Sequence, residues 1–247
     1  MVQVRGKQVT VDIHIPCLVD QLSPETGFNM VKVLEYLECK VNYNTDQTCC
    51  GLPAYTDGYF DDAKLIGEKF IREFPNDRHS VSLGGACVGM VRDWYTHLFN
   101  NSMMHNPCKR LQKNLTELCE FIVNVLQKED LGLNLKAKVC YHDSCQSLRS
   151  GIKTPPRALL QHIKGMELVE MTDPEQCCGF GGFFSTEMEP ISISLVERKV
   201  NDALQTGAEY IVTNDPGCLL QLDSYIKKKN IALKPVHIVD LLAKAIG

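Results

Sequence analysis

A cysteine pattern that occurs twice constrains the fold of this chain more than any other feature. In the first copy, Cys17 is followed by the run Cys49-Cys50-Gly51. In the second copy, Cys145 is followed by Cys177-Cys178-Gly179. Each residue of the second copy lies 128 positions after its counterpart in the first. Scattered core cysteines do not keep such a spacing, so the pattern predicts a duplicated unit that brings separate turns of the chain together.

Two further residues belong to each copy. His14 and His142 precede the first cysteine of their copies by three residues. A lone cysteine follows each Cys-Cys-Gly run, Cys87 in the first copy and Cys218 in the second. Each copy therefore supplies four thiols from three turns, and we expect the four to meet in one site.

Composition and charge exclude several classes of protein. The 247 residues suffice for one large or two medium domains, and their mixture is that of a soluble globular protein. The formal net charge of −4 gives no sign of the basic surface that nucleic-acid binding needs, so no nucleic-acid partner is expected. No apolar run reaches the roughly 18 residues of a membrane span, and residues 1–7 lack the apolar core of a signal peptide. We therefore expect a cytoplasmic protein without a transmembrane segment.

The expected compartment decides how the twelve cysteines are interpreted. In a reducing cytoplasm, disulfides are rare, and a cysteine-rich chain points to metal or redox chemistry. A chain of this length also has enough core to fold without disulfides.

Strand-like and helix-like segments alternate in both halves, which predicts parallel sheets with right-handed crossovers. Strands are predicted over residues 9–15, 41–43, 80–83, 138–142, 167–171 and 210–213, and helices over residues 25–37, 60–74, 88–99, 158–163, 190–204, 218–229 and 236–245. The predicted fold class is α/β with two pseudo-symmetric halves, each a small, mostly parallel sheet with flanking helices. We divide the chain into a first repeat (1–106), a helical connector (107–134) and a second repeat (135–247).

The cysteines fall where such a fold forms its sites. Cys17, Cys87, Cys145 and Cys218 directly follow predicted strands, and ligand sites of open α/β sheets lie at the carboxyl ends of strands. Cys87 and Cys218 also begin predicted helices, whose N-terminal amides lower a thiol pKa and stabilise negative charge. We therefore expect both groups in loops at one edge of their sheets.

Four thiolates bind zinc or an iron–sulfur cluster. Adjacent cysteines are awkward ligands for one tetrahedral ion, whereas a cluster offers several irons, and the glycine after each pair allows close backbone approach. Buried, inert cysteines stay open as an alternative for each single position. That alternative is preferred for the unmatched residues Cys39, Cys108 and Cys119, while Cys140 is expected to point away from the site.

The Cys-x₃₁-Cys-Cys-Gly motif with its later lone cysteine resembles the cysteine-rich CCG domain. That domain occurs in one of the subunits of heterodisulfide reductase, in the iron–sulfur subunit of glycolate oxidase, and in lactate-utilisation protein A. The resemblance covers both halves. The segments Tyr141-His-Asp-Ser-Cys145 and Cys177-Cys-Gly-Phe-Gly-Gly182 are most similar to the lactate-utilisation branch.

The resemblance implies one or two iron–sulfur clusters of the [4Fe–4S] type. Their ligands are expected to be Cys17, Cys49, Cys50 and Cys87 in the first half and Cys145, Cys177, Cys178 and Cys218 in the second. The full domain pattern ends in Cys-x-x-Cys, whereas these copies end in Cys87-Val-Gly-Met90 and Cys218-Leu-Leu-Gln221. An ordinary [4Fe–4S] cluster, or one with a non-cysteine ligand, is therefore preferred over the five-thiol non-cubane cluster, and a site that is empty or holds another metal stays open.

The resemblance further implies an oxidoreductase subunit that passes on electrons from the oxidation of L-lactate, a small hydroxy acid, to pyruvate. Its implied partners are the other lactate-utilisation subunits, including a ferredoxin-like iron–sulfur protein, and they place it in the cytoplasm or at the membrane periphery. His14 and His142 are candidates for a hydrogen bond to a cluster or a proton role, and Arg92 and Arg149 for binding a carboxylate. Two alternatives remain: a thiol–disulfide oxidoreductase subunit like that of heterodisulfide reductase, and a zinc-bearing scaffold without redox activity.

Overall fold

Each half of the chain forms one four-stranded parallel sheet in the computed structural model, which describes residues 8–247. The strands of the first half are β1 (Thr10–His14), β2 (Lys40–Tyr43), β3 (His79–Ser82) and β4 (Leu115–Glu117). Those of the second half are β5 (Asn134–Tyr141), β6 (Lys164–Val169), β7 (Tyr210–Thr213) and β8 (Lys234–His237). The orders β2-β1-β3-β4 and β6-β5-β7-β8 are the same, so the predicted α/β class with two pseudo-symmetric halves is confirmed.

Helices connect consecutive strands on both faces of the sheets. In the first half they are α1 (Cys17–Leu22), α2 (Pro24–Tyr36), α3 (Leu52–Thr56), α4 (Phe60–Glu73), α5 (Gly85–Gly89), α6 (Tyr95–Phe99), α7 (His105–Asn114) and α8 (Leu118–Glu120). In the second half they are α9 (Cys145–Arg149), α10 (Thr154–Gln161), α11 (Phe184–Glu187), α12 (Glu189–Gln205), α13 (Pro216–Lys229) and α14 (Ile238–Ile246). π-Helical turns over Met90–Trp94 and Phe121–Val125 follow α5 and α8.

The central strands explain why each site forms at a sheet edge. In β1 every residue from Val11 to His14 is buried, as expected of a parallel strand covered by helices on both faces. Ile13 lies beside Tyr43 on β2 and Val81 on β3, so neighbouring strands end at the same edge. The loops that follow them therefore meet there.

The sequence-based elements differ from the structure at the fourth strand of each sheet. The predicted connector 107–134 is not only helical, because Leu115–Glu117 pairs with Ser80–Ser82 of β3. The helix predicted to begin at residue 236 is likewise preceded by β8, and it begins at Ile238. Both strands are three or four residues long, too short to show a period of two. The chain divisions at residues 106 and 134 stay predictions.

One hydrophobic cluster contains residues of both halves, and in it α2 packs against α14. At the edge of this contact, Thr26 Oγ1 and Asn29 Nδ2 donate hydrogen bonds to the Asp240 carboxylate. Deeper in the interface, His237 Nε2 lies 3.0 Å from the carbonyl oxygen of Leu83. The halves are therefore held in a fixed relation, and the edges that carry the cysteines are close to each other.

Within residues 8–247, no helix is both long enough and apolar enough to cross a membrane. The N-terminal segment 1–7, where the sequence shows no signal-peptide pattern, lies outside the described residues.

Candidate metal centres

The first centre lies where β1, β2 and β3 end. Cys17 is the first residue of α1, Cys49 and Cys50 lie in the turn before α3, and Cys87 is the third residue of α5. The Sγ atoms of Cys17 and Cys49 are 3.8 Å apart, and Cys50 lies close enough to Cys49 and Cys87 for both to raise its pKa well above the ordinary value. The structure thus brings together the four thiols of the first copy in a continuous chain of sulfur contacts.

The second centre repeats this arrangement in the other half. Cys145 is the first residue of α9, and the side chains of Cys145 and Cys178 lie close enough to Cys177 to lower its pKa. Cys178 in turn contacts Cys218, the third residue of α13. The order of contacts is the same as in the first centre.

The Cys-Cys-Gly turns depend on glycine in the left-handed region of backbone space. Gly51 has a φ of 83° and Gly179 a φ of 82°. In this conformation the amide of Gly51 donates to Cys49 Sγ at 3.4 Å, and that of Gly179 to Cys177 Sγ at 3.3 Å. Each turn therefore aims a backbone donor at the first sulfur of its adjacent pair.

One sulfur of each centre is held as a thiolate. Hydrogen bonds from the thiols of Cys17 and Cys50 lower the pKa of Cys49 to about 2. Hydrogen bonds from Cys145 and Cys178 lower the pKa of Cys177 to about 2 as well. A thiolate is the form that binds metal, so both centres present a ligand ready for a soft cation.

Asp215 modifies the expected role of the helix amides. Its Oδ1 accepts hydrogen bonds from the amides of Gly217 and Cys218, at 3.0 and 3.2 Å. Its Oδ2 accepts one from the amide of Ala86 in the first half, at 2.9 Å. The amides next to the two lone cysteines are thus already satisfied by one carboxylate, rather than left unpaired for a cluster.

The two histidines are buried next to their centres in different surroundings. His14 Nδ1 lies 2.9 Å from Ser82 Oγ, and the ring meets Phe70 edge-on with centroids 4.9 Å apart. His142 has no hydrogen-bond partner for either ring nitrogen among residues 8–247. Burial lowers the pKa of His14 to about 4 and that of His142 to about 3, so both rings are neutral at pH 7.

Charged side chains surround the second centre. Lys199 is fully buried, and its Nζ donates to the carbonyl oxygens of Asp173 at 2.5 Å and Pro174 at 3.1 Å. Its positive charge is the second cause, after burial, of the lowered His142 pKa. Asp143 is also buried, and the Arg157 guanidinium holds its two oxygens at 2.7 and 2.8 Å.

The two candidate arginines are used differently. Arg92 forms a two-pronged ion pair with Glu120 at 2.8 and 3.0 Å and also donates to the Leu115 carbonyl at 2.8 Å. These contacts hold β4 and α8 in place, so the guanidinium is not directed at a substrate. Arg149 is exposed and lies over the Trp94 ring, with its Cζ 4.9 Å from the centroid.

The unmatched cysteines are packed in the core, as expected. Cys39, Cys108, Cys119 and Cys140 are all buried, and none joins the two groups of sulfur contacts. Cys140 Sγ lies 3.6 Å from the carbonyl oxygen of Tyr210 on the neighbouring strand.

Lys199 and Asp215 are the residues near the centres that the sequence did not single out. On α12 the apolar side chains of Ile193 and Leu204 are exposed, whereas Lys199 is buried beside Val200. A lysine one turn from Val196 on an otherwise apolar face was the available signal. For Asp215 it was an aspartate directly before a proline, a pattern typical of a helix N-cap.

The donor sets suit a metal or a metal cluster. Two thiolates on one tetrahedral zinc ion lie about 3.8 Å apart, given Zn–S bonds of about 2.3 Å, which matches the Cys17–Cys49 separation. A second group of donors is formed by His142, Cys178 and Cys218, whose ligand atoms all lie within 4.8 Å of one another. Sulfur and imidazole donors select zinc, copper or iron rather than magnesium or calcium.

Comparison with protein families supports the duplicated unit. The model of the cysteine-rich CCG domain matches this chain twice, over residues 11–92 and 139–223. The two matches cover both cysteine groups in full, from the strand before the first cysteine to the helix that carries the last.

Curated relatives match the chain over nearly its whole length. Lactate utilization protein A of Geobacillus kaustophilus is 38% identical over 234 residues, which cover 94% of this chain and 98% of that protein. The protein of the same name from Bacillus subtilis gives the same identity and coverage.

Among solved structures, a hypothetical protein from Helicobacter pylori shares the fold with a TM-score of 0.59 at 13% identity. The alignment covers 98% of this chain, which spans half the length of that structure.

Proposed function

The chain belongs to the cysteine-rich CCG domain family, and we propose that it is the iron–sulfur subunit of a complex that oxidises L-lactate to pyruvate. Like its relatives named for lactate utilization, it serves lactate utilisation. In this proposal Cys17, Cys49, Cys50 and Cys87 hold one cluster, and Cys145, Cys177, Cys178 and Cys218 hold the other. Each cluster, of the [4Fe–4S] type, supplies one-electron transfer when bound.

The observation that carries the proposal is the convergence of four thiols, twice, from turns far apart in the sequence. Sulfur contacts join all four cysteines of the first half, and the same contacts occur in the second. Oxidation of lactate to pyruvate releases two electrons and two protons, so two one-electron centres match the stoichiometry. The residues of this chain bind and orient the centres.

The surroundings of the centres favour exchange with partner subunits. Cys17 and Cys145 are exposed, while the other sulfurs are buried or half-buried, so each centre reaches the surface at its first cysteine. The sequence has no dinucleotide-binding motif, and we propose that the hydride or electron acceptor of lactate lies in a partner. The proposed partners are a ferredoxin-like iron–sulfur protein and a third lactate-utilisation protein. The proposed complex is cytoplasmic, and the reducing cytoplasm keeps the thiols reduced.

A zinc-bearing scaffold is the second candidate, and the sulfur separation favours it. Thiolates on separate corners of a cubane cluster diverge, whereas the 3.8 Å between the Cys17 and Cys49 sulfurs suits ligands of one ion. The adjacent cysteines argue in the other direction, because side chains of neighbouring residues do not easily reach a single tetrahedral ion.

Metal analysis separates the two candidates. We expect the full chain, purified without oxygen, to be brown, to contain about four irons per centre with matching acid-labile sulfide, and to be reduced by lactate when its partner proteins are present. Zinc without sulfide supports the scaffold instead. Colourless protein without iron contradicts the proposed function. If thiols that form a disulfide reduce the metal centres but lactate does not, the proposed substrate is contradicted.

A matched pair of cysteine variants tests the ligand assignment. Cys178→Ser is expected to lose the metal of the second half, about half of the total iron, because a buried ligand is removed from the centre of the sulfur chain. Cys119→Ser, at an equally buried cysteine outside both groups, is expected to keep all of it. Equal iron content in the two variants, measured per folded protein, contradicts the assignment.

A further inference from the structure

We propose that His142 is a direct metal ligand, so that the second centre has mixed imidazole–thiolate coordination while the first is coordinated by thiolates alone. The inference rests on the proposed function to the extent that the second half must hold a metal centre. It adds a nitrogen donor that the cysteine pattern does not contain.

The first observation is an imidazole without partners in the protein interior. His142 is fully buried, and neither Nδ1 nor Nε2 has a hydrogen-bond partner within the described part of the chain. Leaving a buried polar group unsatisfied costs about 1–3 kcal/mol, and a neutral imidazole has both a donor and an acceptor to satisfy. Because no protein group offsets this cost, we infer that the partner of the ring is a metal ion, which accepts the lone pair of the imidazole nitrogen.

The second observation is the position of the ring. A nitrogen of His142 and the sulfurs of Cys178 and Cys218 all lie within 4.8 Å of one another, and all three residues are buried. Ligands of one tetrahedral ion, with bonds of about 2.1 Å to nitrogen and 2.3 Å to sulfur, lie within this distance. The ring nevertheless forms no hydrogen bond with these sulfurs among residues 8–247.

The third observation is the different treatment of the equivalent ring. His14 uses Nδ1 to contact Ser82 Oγ at 2.9 Å. In the second half, Thr213 takes the place of Ser82, and its Oγ1 accepts from the amide of Asp215 without contacting His142. Within residues 8–247, the first half has no group of three ligand atoms as close as that of His142, Cys178 and Cys218. The duplicated histidines have therefore diverged, one toward a structural hydrogen bond and one toward the metal.

Spectroscopy on the intact chain tests the ligand directly. The full chain is purified without oxygen after selective ¹⁵N-histidine labelling, and its reduced centres are examined by pulsed electron paramagnetic resonance. Absorption at the X-ray edge of the bound metal gives a second readout that does not need a paramagnetic state. We expect a directly bonded histidine nitrogen in the wild-type protein and in His14→Ala, at about 2.1 Å beside sulfurs at about 2.3 Å.

Two variants of the ligand complete the test. His142→Ala is expected to lose the nitrogen signal and to release the metal of the second half to a chelator at least tenfold more readily. His142→Cys is expected to retain the metal, with sulfur replacing nitrogen. A wild-type centre coordinated only by sulfur, or a nitrogen signal that persists in His142→Ala, overturns the inference while leaving the proposed function intact. Wild-type protein with no metal in either half overturns both.

Discussion

The two halves of this protein share their sheet order, their cysteine turns and the sequence of sulfur contacts, but the environments of their centres differ in charge. Beside the first centre, the ring of Phe70 packs against His14. Beside the second, the buried ammonium of Lys199 lies close enough to influence the pKa of His142. A buried aromatic ring therefore lies beside the histidine of one centre, and a buried cation lies near the histidine of the other.

Phe70 and Lys199 occupy equivalent positions. A side chain at the first Cys-Cys-Gly glycine would meet the carbonyl oxygen of Ala63, and one at the second glycine would meet that of Ser192. Phe70 and Lys199 each lie seven residues beyond these contact points on their helices. The comparison teaches that duplication kept the cysteines of each centre, while the helix packed over them was free to change.

Asp215 introduces a second asymmetry, because it serves both halves. It caps α13 in its own half and accepts the Ala86 amide beside Cys87 in the other. Its counterpart in the first half is Gly84, which has no side chain to return the contact. The two cysteine-bearing turns are therefore connected through one buried carboxylate.

The largest expected effect concerns the two turn glycines. A Cβ at Gly179 would lie 2.5 Å from the Ser192 carbonyl oxygen, whereas at Gly51 the nearest atom, the Ala63 carbonyl oxygen, is 3.2 Å away. We expect Gly51→Ala to lower the free energy of unfolding by about 1–2 kcal/mol, from the positive φ alone. Gly179→Ala adds a clash with backbone that cannot move away, and we expect a loss above about 3 kcal/mol. Urea unfolding of the full-length variants measures both values, and equal losses would show that the two turns are interchangeable.

The next effect is the acid sensitivity contributed by the two histidines in metal-free, reduced protein. Their folded-state pKa values, about 4 and about 3, lie below the ordinary 6.5, so their contribution is complete above pH 6.5 and is lost as the pH falls toward 4. Between pH 7 and pH 5, each ring is expected to cost up to about 2 kcal/mol of stability. Burial raises the pKa of Glu117 to about 8, and this group acts in the opposite direction.

Because of Glu117, the quantity to measure is the difference between wild type and variant. His14→Gln and His142→Gln are each expected to reduce the loss of stability on acidification, while the exposed His162→Gln leaves it unchanged. In metal-loaded protein, the His142 contribution is expected to differ from that of His14, because protons then compete with the metal for its nitrogen. Identical behaviour of both rings in loaded protein would argue against that difference.

The smallest effect tests the buried charge. Lys199→Met removes a cation near the second centre and leaves the carbonyls of Asp173 and Pro174 without their donor. We expect a loss of stability of about 1 kcal/mol and a lower reduction potential of the second centre, because reduction adds negative charge that the ammonium stabilises. Phe70→Met, the matched change in the first half, removes no charge and is expected to leave that potential unchanged. A redox titration of both variants provides the measurement.

Much of the fold was predictable because its signals are local. The β-branched run before His14 and the alternation of strands with helices predict central parallel strands, which the structure contains. The fourth strands were missed, since Leu115–Glu117 is held by its pairing with β3 rather than by its own pattern. Arg92 could not be distinguished from a substrate-binding arginine, because its partner Glu120 becomes visible only when β4 and α8 are in place.

The sequence alone determined the duplication, the α/β class and which cysteines form each repeated group. Both signals, a spacing repeated after 128 residues and the alternating hydrophobic periods, are visible in the sequence without the three-dimensional contacts. The tertiary structure decided what surrounds each group: Ser82 on one histidine and no protein partner on the other within residues 8–247, Lys199 where Phe70 stands, and Asp215 shared between the halves. Burial and desolvation arise from packing between segments far apart in the chain, so the electrostatic difference between the two centres exists only in the folded protein.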